Sequence, residues 1–392
     1  MVLRETKQTP HNFKYSVRIS VISTMSIIIG LDFGSHTSSI ALWHEEKATY
    51  EVFADELGSR VIPCVVAYRG DEVIVGQAAV AQQHKNPSNT FLDIRDLILN
   101  PAVENVFVPA LDKEISVQEL VSHFFRNIHN QVKMQVGKVV RDCVMSIPCA
   151  IDESVKNRLY EAAQAGGIRI KSLVSDTACT LMAYGLDNAA NMDSKVLVVD
   201  IGWGEAEAGL FSISKGLFFP ISSSTSNEVS GKVLVKLLSD HCVRDFQRRS
   251  KQSCADNVRS MIRLRAQCEE MMKQLSTVQE ASLDIDSLYE GIDYSGKVSR
   301  ARFEDVAGIP LVQLKALIND ALAKAGNLQL SDVSAVCVAG GLTAMPKILS
   351  NIKGMFPHAL FPRVRFETAE ALCIGAAFHA RCLLEQVLRL YY

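Results

Sequence analysis

The sequence holds no CxxC pair. Its ten cysteines stand apart at 64, 143, 149, 179, 242, 254, 268, 337, 373 and 382, a spacing from which neither a zinc ribbon nor a dithiol motif can be built. Most sit in apolar runs such as VCVAGG and ALCIGAA, where a reduced thiol serves as a small core residue. His123 and His129 lack accompanying ligand residues and read as surface histidines. No apolar run approaches the roughly 20 residues of a membrane-spanning helix. Glycine and proline are sparse, 22 and 11 in 392 residues, which excludes collagen-like and low-complexity chains. Nor does one sign of charge dominate. Lysine plus arginine number 41 against 43 acids, a formal net charge of −2, so no overall field steers nucleic acid or an anionic membrane. Apolar residues are plentiful, 48% against 21% charged, enough for two or three packed units. Residues 1–25 form an extension in which Arg4, Lys7, Lys14 and Arg18 outnumber Glu5. It has a weak transit-peptide character, or else Met25 is the true start, since the first strong strand follows it directly.

The order of elements repeats. From Ser26 the chain reads SIIIGLDFG, TSSIALWHEE and TYEVFADE, three β-rich runs joined by short turns; from Lys195 it reads KVLVVDIGWG, EAEAGLFSI and GLFFPISS. Each triplet opens with a continuous apolar run, the pattern of a strand buried on both faces, and that run ends in Asp-x-Gly: Asp32-Phe33-Gly34 and Asp200-Ile201-Gly202. Strand and helix then alternate. In the first half CVMSIP is a strand, and Asp152 caps a helix with Val155, Leu159, Ala162 and Ala163 on one face. Gly166-Gly167 stops that helix, IKSLVS is a strand, and Asp176 to Gly185 is a helix. In the second half AVCVAGG is a strand, Pro346 marks a helix start, VRF is a short strand, and Glu370 to Leu388 is a long helix. Both halves read βββαβα. Two such halves facing each other describe an α/β, two-lobed ATPase fold of the actin and hexokinase type, with nucleotide in the cleft. Insertions at about 62–117 and 231–305 form two outer lobes, the second mostly helical with Arg259 to Leu275 its clearest segment.

A turn of the Asp-x-Gly kind leaves successive backbone N–H groups pointing outward as an anion cradle, and glycine lets phosphate approach the main chain. The candidate phosphate-binding positions are Gly34, Ser35, His36 and Thr37 in the first half and Gly202 and Gly204 in the second. Asp32 and Asp200, facing each other across the cleft, would hold Mg²⁺ through its water shell. A single Asp-Gly is ordinarily just a turn; duplication behind two apolar strands carries the reading. Ala339-Gly340-Gly341, after a third apolar strand, falls where the second half would meet adenosine.

The segments IGLDFGSHTSSIAL, VLVVDIGWG, AYGLD, IDSLYEGIDY, RARFE and VAGGLTAMPKIL resemble the nucleotide-binding domain of the heat shock protein 70 (DnaK-type) chaperones. The resemblance spans about residues 26–388, and IDSLYEGIDY with RARFE is specific to that family within the actin superfamily. It implies a first lobe at 26–190, a second at 191–388, a tail at 389–392, and ATP with Mg²⁺ as cofactor. It also implies adenosine contacts at Glu269, Lys273, Ser276, Gly340, Gly341 and Leu342. Glu269 and Lys273 lie one helical turn apart and would otherwise read as an exposed i,i+4 pair. Leu342 stands where the family usually has serine, and Ala369 replaces an acid.

The hydrolytic positions depart further from the family. Trp203 replaces a glycine of the second phosphate loop and Glu205 its threonine; an indole takes up room for the γ-phosphate and a carboxylate repels it. Arg95 stands where the family has its catalytic lysine and Asp176 where it has glutamate; with Asp200 they are the catalytic candidates. Phosphoryl transfer runs on positioning and charge stabilisation, and a planar guanidinium does not orient water as an ammonium does, so hydrolysis is expected to be very slow or absent. The sequence ends without a counterpart of the family's linker, β-sandwich substrate domain or helical lid. Together with NPSNTFLDIRDLI, this resembles the atypical ribosome-associated members that pair with a zuotin-type J-domain protein. The implied role is a cytoplasmic, ribosome-associated pseudo-ATPase scaffold that assists a second, competent chaperone on nascent chains, with no membrane partner. Arg244, Arg248, Arg249, Lys251, Arg259, Arg263 and Arg265 outnumber Asp245 and Asp256 in the second outer lobe. That cluster reads first as a solvated helical face and second as an RNA contact. Three alternatives stay open: an active ATPase chaperone without its own substrate domain, a metabolite kinase on the same fold, and a nucleotide-free interaction module.

Overall fold

A computed structural model describes residues 27–391, apart from 45–46, 48, 56–57, 150, 187–193 and 327. The extension at 1–25, Asp187 of the AYGLD segment and Tyr392 of the tail lie outside the described residues. Two sheets form the cores. In the first, strands β1 (Ile28–Phe33), β2 (Thr37–His44), β3 (Thr49–Val52), β4 (Asp142–Ile147) and β5 (Arg169–Ser175) lie in the order β5-β4-β1-β2-β3, with Ile62–Pro63 also paired to β2. In the second, β6 (Ser194–Ile201), β7 (Ala206–Ser214), β8 (Leu217–Ser226) and β9 (Ala335–Ala339) lie in the order β8-β7-β6-β9. Strands β1 and β6 are equivalent. Each has a parallel neighbour on one side and an antiparallel hairpin partner on the other, which is why each reads as an unbroken apolar run.

The helices that position the site are α1 (Ile94–Leu99), α2 (Val117–Val136), α3 (Glu153–Ala165), α4 (Asp176–Ala183), α5 (Gly231–Ser250), α6 (Val258–Leu275), α7 (Gly308–Lys324), α8 (Pro346–Met355) and α9 (Ala371–Tyr391). Helix α2 shows how local sequence sets an element. Ser116 caps it by accepting from the Glu119 N–H, and Gly137 ends it at φ 70°. Its apolar stripe, including Leu120, Phe124, Phe125 and Ile128, is fully buried, and Phe33 of β1 packs on Phe124 and Phe125 with ring centroids 5.5 and 5.1 Å away.

Two features differ from the sequence expectation. Asp152 occupies the N-cap position of α3, but its side chain makes no capping bond. The VRF segment is not a strand, and the second core ends its βββαβα series one strand short. The chain touches β9 through a single bridge, Ala335 to Leu360. Pro362 follows and brings no N–H to extend a ladder, while Phe366 is drawn into the junction against Tyr50 and Tyr184.

That junction holds the lobes together. Helix α9, at the end of the second half, crosses to the first, where Gly30 of β1 lies so near Ala377 that a Cβ would overlap its backbone. Gly375 presses on Cys179 of α4 just as tightly. In the second outer lobe the IDSLYEGIDY segment is a hairpin, Glu280–Tyr289 paired with Ile292–Ser299. Its turn uses Glu290 and Gly291 at φ 48° and 76°, and Arg263 of α6 donates to the Asp286 and Ser287 carbonyls.

Candidate functional site

Strand register builds the floor of the cleft. Asp32 pairs with Ser146 on β4 and Ser39 on β2; Asp200 pairs with Ala339 on β9 and Glu207 on β7. The two halves are thus equivalent in backbone and opposite in chemistry. Where the first offers hydroxyls, the second offers a methyl and a carboxylate. Ser146 donates to Asp32 at 3.2 Å, whereas Asp200 Oδ1 is buried with no hydrogen-bond partner. Burial, and then the nearby Asp176 charge, push Asp32 up to about 7 despite Arg95 and the serines. Burial drives Asp200 well above the carboxylate range, with Asp176, Glu207 and Asp32 adding to the effect. Glu207, which accepts from Thr177 at 3.3 Å, is pushed by burial to about 7.

One guanidinium stands over these acids. Arg95, on α1, is 9% exposed; it donates to Asp176 at 3.4 Å and lies 3.8 Å from Glu205. Asp176 begins α4 behind the Ser175 cap. Burial works against the Arg95 charge, but Asp176, Glu205, Asp32 and Asp96 together hold its pKa above the ordinary value. Burial also raises Asp176 and Glu205 above their usual range, with Arg95 opposing it. The isolated repulsive carboxylate expected at Glu205 is therefore partly compensated by Arg95, a pairing that only the fold creates.

The turns meant to cradle phosphate touch each other. A Cβ on Gly204 would lie 2.7 Å from Ser35 Oγ, and that hydroxyl donates to Asp96 at 2.7 Å. The His36 ring stacks on Trp203, centroids 4.0 Å apart and planes 20° apart. His36 Nε2 and Glu269 Oε1 are 3.1 Å apart, and Lys273 pairs with the same carboxylate oxygen at 2.8 Å. Burial would raise Glu269, but His36 and Lys273 hold it down to about 2. On the second turn, Gly202 accepts from Gly231 and Trp203 from Lys232 at the start of α5. Lys232 crosses to Asp93 at 2.8 Å.

The predicted positions fare unequally. Asp32, Asp176, Asp200 and Arg95 share one buried electrostatic cluster, and Gly34, Ser35, His36, Gly202 and Gly204 line the facing turns. Thr37 begins β2, paired with Pro63, and its carbonyl lies beneath Gly34. Gly340, at φ 83°, is pressed on Asp200 and Ile201 so closely that a Cβ would overlap them, while Gly341 faces open space. Lys273 is exposed, and Ser276, half-buried, donates weakly back to Met272. Leu342 is largely buried and packs within the second-lobe core. Glu207, Asp93, Asp96 and Lys232 were not foreseen. The signal for Glu207 was available, since a tight hairpin closing at Gly202 and Glu205 sets residue 207 opposite 200.

These residues can be tested against the cofactors the fold family implies. No group of three or more potential ligands converges closely enough to chelate a metal among the described residues, yet the cluster is rich in acid and Asp200 Oδ1 lacks a partner. That donor set fits a cation held through water. Gly341, Lys273 and Ser276 are reachable for the adenosine end of a nucleotide. The polyphosphate end does not fit the present arrangement, because His36 and Trp203 are in contact where it would run.

A protein-family model described as Hsp70 protein matches residues 28–106 and 99–389. Among curated relatives, Heat shock 70 kDa protein 2 of Paracoccidioides lutzii is 27% identical over 92% of this chain and 58% of its own length. Heat shock 70-related protein 5 of Dictyostelium discoideum is 27% identical over 84% and 70%, and Heat shock 70 kDa protein 14 of Danio rerio 27% over 91% and 75%. The chain thus spans a little over half the length of the first of these.

Proposed function

The chain belongs to the Hsp70 family, and from that premise we propose that it is an adenine-nucleotide-binding member that hydrolyses ATP very slowly or not at all and acts as a scaffold. Hsp70 proteins generally bind ATP with Mg²⁺; here Asp32 and Asp200 would hold the hydrated cation, whose charge would offset theirs. The observation that carries the reading is the commitment of Arg95 to Asp176 and Glu205. A cation held between two carboxylates is not available to stabilise charge on a transferring phosphoryl group or to orient a water. The remaining residues hold the floor: Ser146 fixes one Asp32 oxygen, and Asp200 keeps one oxygen free.

Partnership with a J-domain protein, ribosome association, a cytoplasmic location and service to a second chaperone remain part of this proposal. They rest on the resemblance of NPSNTFLDIRDLI, the segment that carries Arg95 into the cleft. Direct RNA contact is disfavoured, because Arg248 and Arg249 are paired with Asp245 and Arg263 is spent on hairpin carbonyls.

Calorimetric titration of the purified chain with Mg-ATP and Mg-ADP, followed by a hydrolysis assay, tests the core of the proposal. Binding that is weak while the His36–Trp203 contact is closed, and without multiple turnovers, is expected; sustained turnover at ordinary chaperone rates overturns it. Failure to bind these nucleotides and adenosine alike favours the nucleotide-free module. Capture of the tagged chain from cells should recover a J-domain protein and ribosomal components, and recovery of neither removes the partner assignment.

A further inference from the structure

We infer that His36 is a built-in plug of the phosphate path, so that the cleft selects adenosine-class ligands by phosphate length and admits a polyphosphate only when the His36–Trp203 stack opens. The inference rests on the adenine-nucleotide reading above and extends it by naming the ligand class and the residue that sets it.

The plug is fixed on both faces. Planes 20° apart with centroids 4.0 Å apart are at van der Waals contact, leaving no room for a phosphate oxygen between the rings. Trp203 cannot retreat toward α5, because a Cβ on Gly231 would lie 2.7 Å from its Cε3. Its carbonyl is held by the Lys232 N–H at 3.0 Å. His36 is tethered to Glu269 at 3.1 Å, and Glu269 is itself braced by Lys273 at 2.8 Å. Beside the rings, Gly204 closes on Ser35.

On the side of the second turn, the donors and cations that would reward a polyphosphate are already engaged. The first amides of α5, at Gly231 and Lys232, point to carbonyls of the second turn, so the positive end of that helix is spent within the protein. Arg95 is paired with Asp176 and Glu205, and Lys232 with Asp93 at 2.8 Å and Asp96 at 4.0 Å. A tail carrying three or four negative charges would meet these carboxylates without an uncommitted cation among the groups just named. Adenosine makes no such demand, since it needs neither ring to move away from the path between the turns.

The test compares adenosine, ADP and ATP, each with Mg²⁺, by calorimetry on the full chain and on two variants. Binding is also followed by the fluorescence of Trp203, made the sole indole by Trp43→Phe, since the chain has 2 tryptophans. Wild type should bind adenosine at least as tightly as ATP. His36→Ala should tighten ATP about tenfold or more, roughly one logarithmic unit of affinity, and leave adenosine within about twofold. His36→Phe keeps an aromatic ring on Trp203 and loses only the Glu269 bond, so it should keep ATP weak. Wild type preferring ATP by more than about tenfold over adenosine overturns the plug while leaving nucleotide binding intact, and this comparison needs no variant to fold. An unchanged ATP affinity in a folded His36→Ala, or an equal gain in His36→Phe, also overturns it. If no form binds any of the three ligands, the plug and the nucleotide-binding reading fall together.

Discussion

Asp32→Asn removes a charge that burial opposes, yet leaves an acceptor for the Ser146 hydroxyl. Asp32 titrates near 7 in the folded chain against an ordinary value of 3.8, and Glu207 near 7 against 4.5. For an acid raised on folding, the folded state takes up the proton first as pH falls. Stability is therefore greatest below the unfolded value and is lost as pH rises through the folded one. Between pH 6 and pH 8 each group should cost the fold about 1 kcal/mol, and the two together about 2 to 3 kcal/mol, with the curve flattening above about pH 7. Because Asp32, Asp176 and Asp200 feel one another, the protons belong to the cluster and the experiment reads their total. Chemical denaturation of wild type and variant at half-unit steps of pH supplies the curve. Asp32→Asn should be more stable than wild type at pH 8 by about 1 kcal/mol or more and should lose about 1 kcal/mol of the fall between pH 6 and pH 8, Glu207 and the other buried acids keeping the rest. Superimposable pH profiles, or a wild type that grows more stable from pH 6 to pH 8, would refute the electrostatic reasoning for the cleft.

Magnesium ion should raise the melting temperature more at pH 8 than at pH 6, because protons and the cation compete for the same carboxylates; Asp200→Asn should weaken that increment, and equal increments at the two pH values would count against the cation site. Arg95→Ala leaves Asp176 and Glu205 without their cation and should cost about 3 to 5 kcal/mol. Adding Asp176→Ala should recover part of that loss in a double-mutant cycle by denaturation, and strict additivity would show that the pair is not coupled. Gly375→Ala should destabilise by about 3 kcal/mol by forcing α9 away from Cys179, whereas Gly308→Ala, with nothing within 4 Å of a Cβ, should change melting little or raise it slightly.

Much of the architecture was legible because each signal was local. The short apolar runs at 27–31 and 196–199, each ending in Asp-x-Gly, read as strands covered on both faces. Gly166-Gly167 and Pro346 mark helix ends through their own backbone restrictions, and Gly167 indeed adopts φ 88°. The VRF segment was misread because alternating Val364 and Phe366 imitate a strand, while the distant Tyr50 and Tyr184 claim Phe366 for the lobe junction.

At the site, the sequence showed two equivalent Asp-x-Gly turns behind apolar strands, and the family resemblance marked Trp203, Glu205, Arg95 and Asp176 as departures from its pattern. Their pairings belong to tertiary structure. Arg95 meets Glu205 across 110 positions of chain, and His36 meets Glu269 across 233; no periodicity or propensity reaches so far. Coulomb and stacking energies depend on separation and burial, and those distances exist only once the two sheets, each ordered by its own local pattern, are brought face to face by α4 and α9.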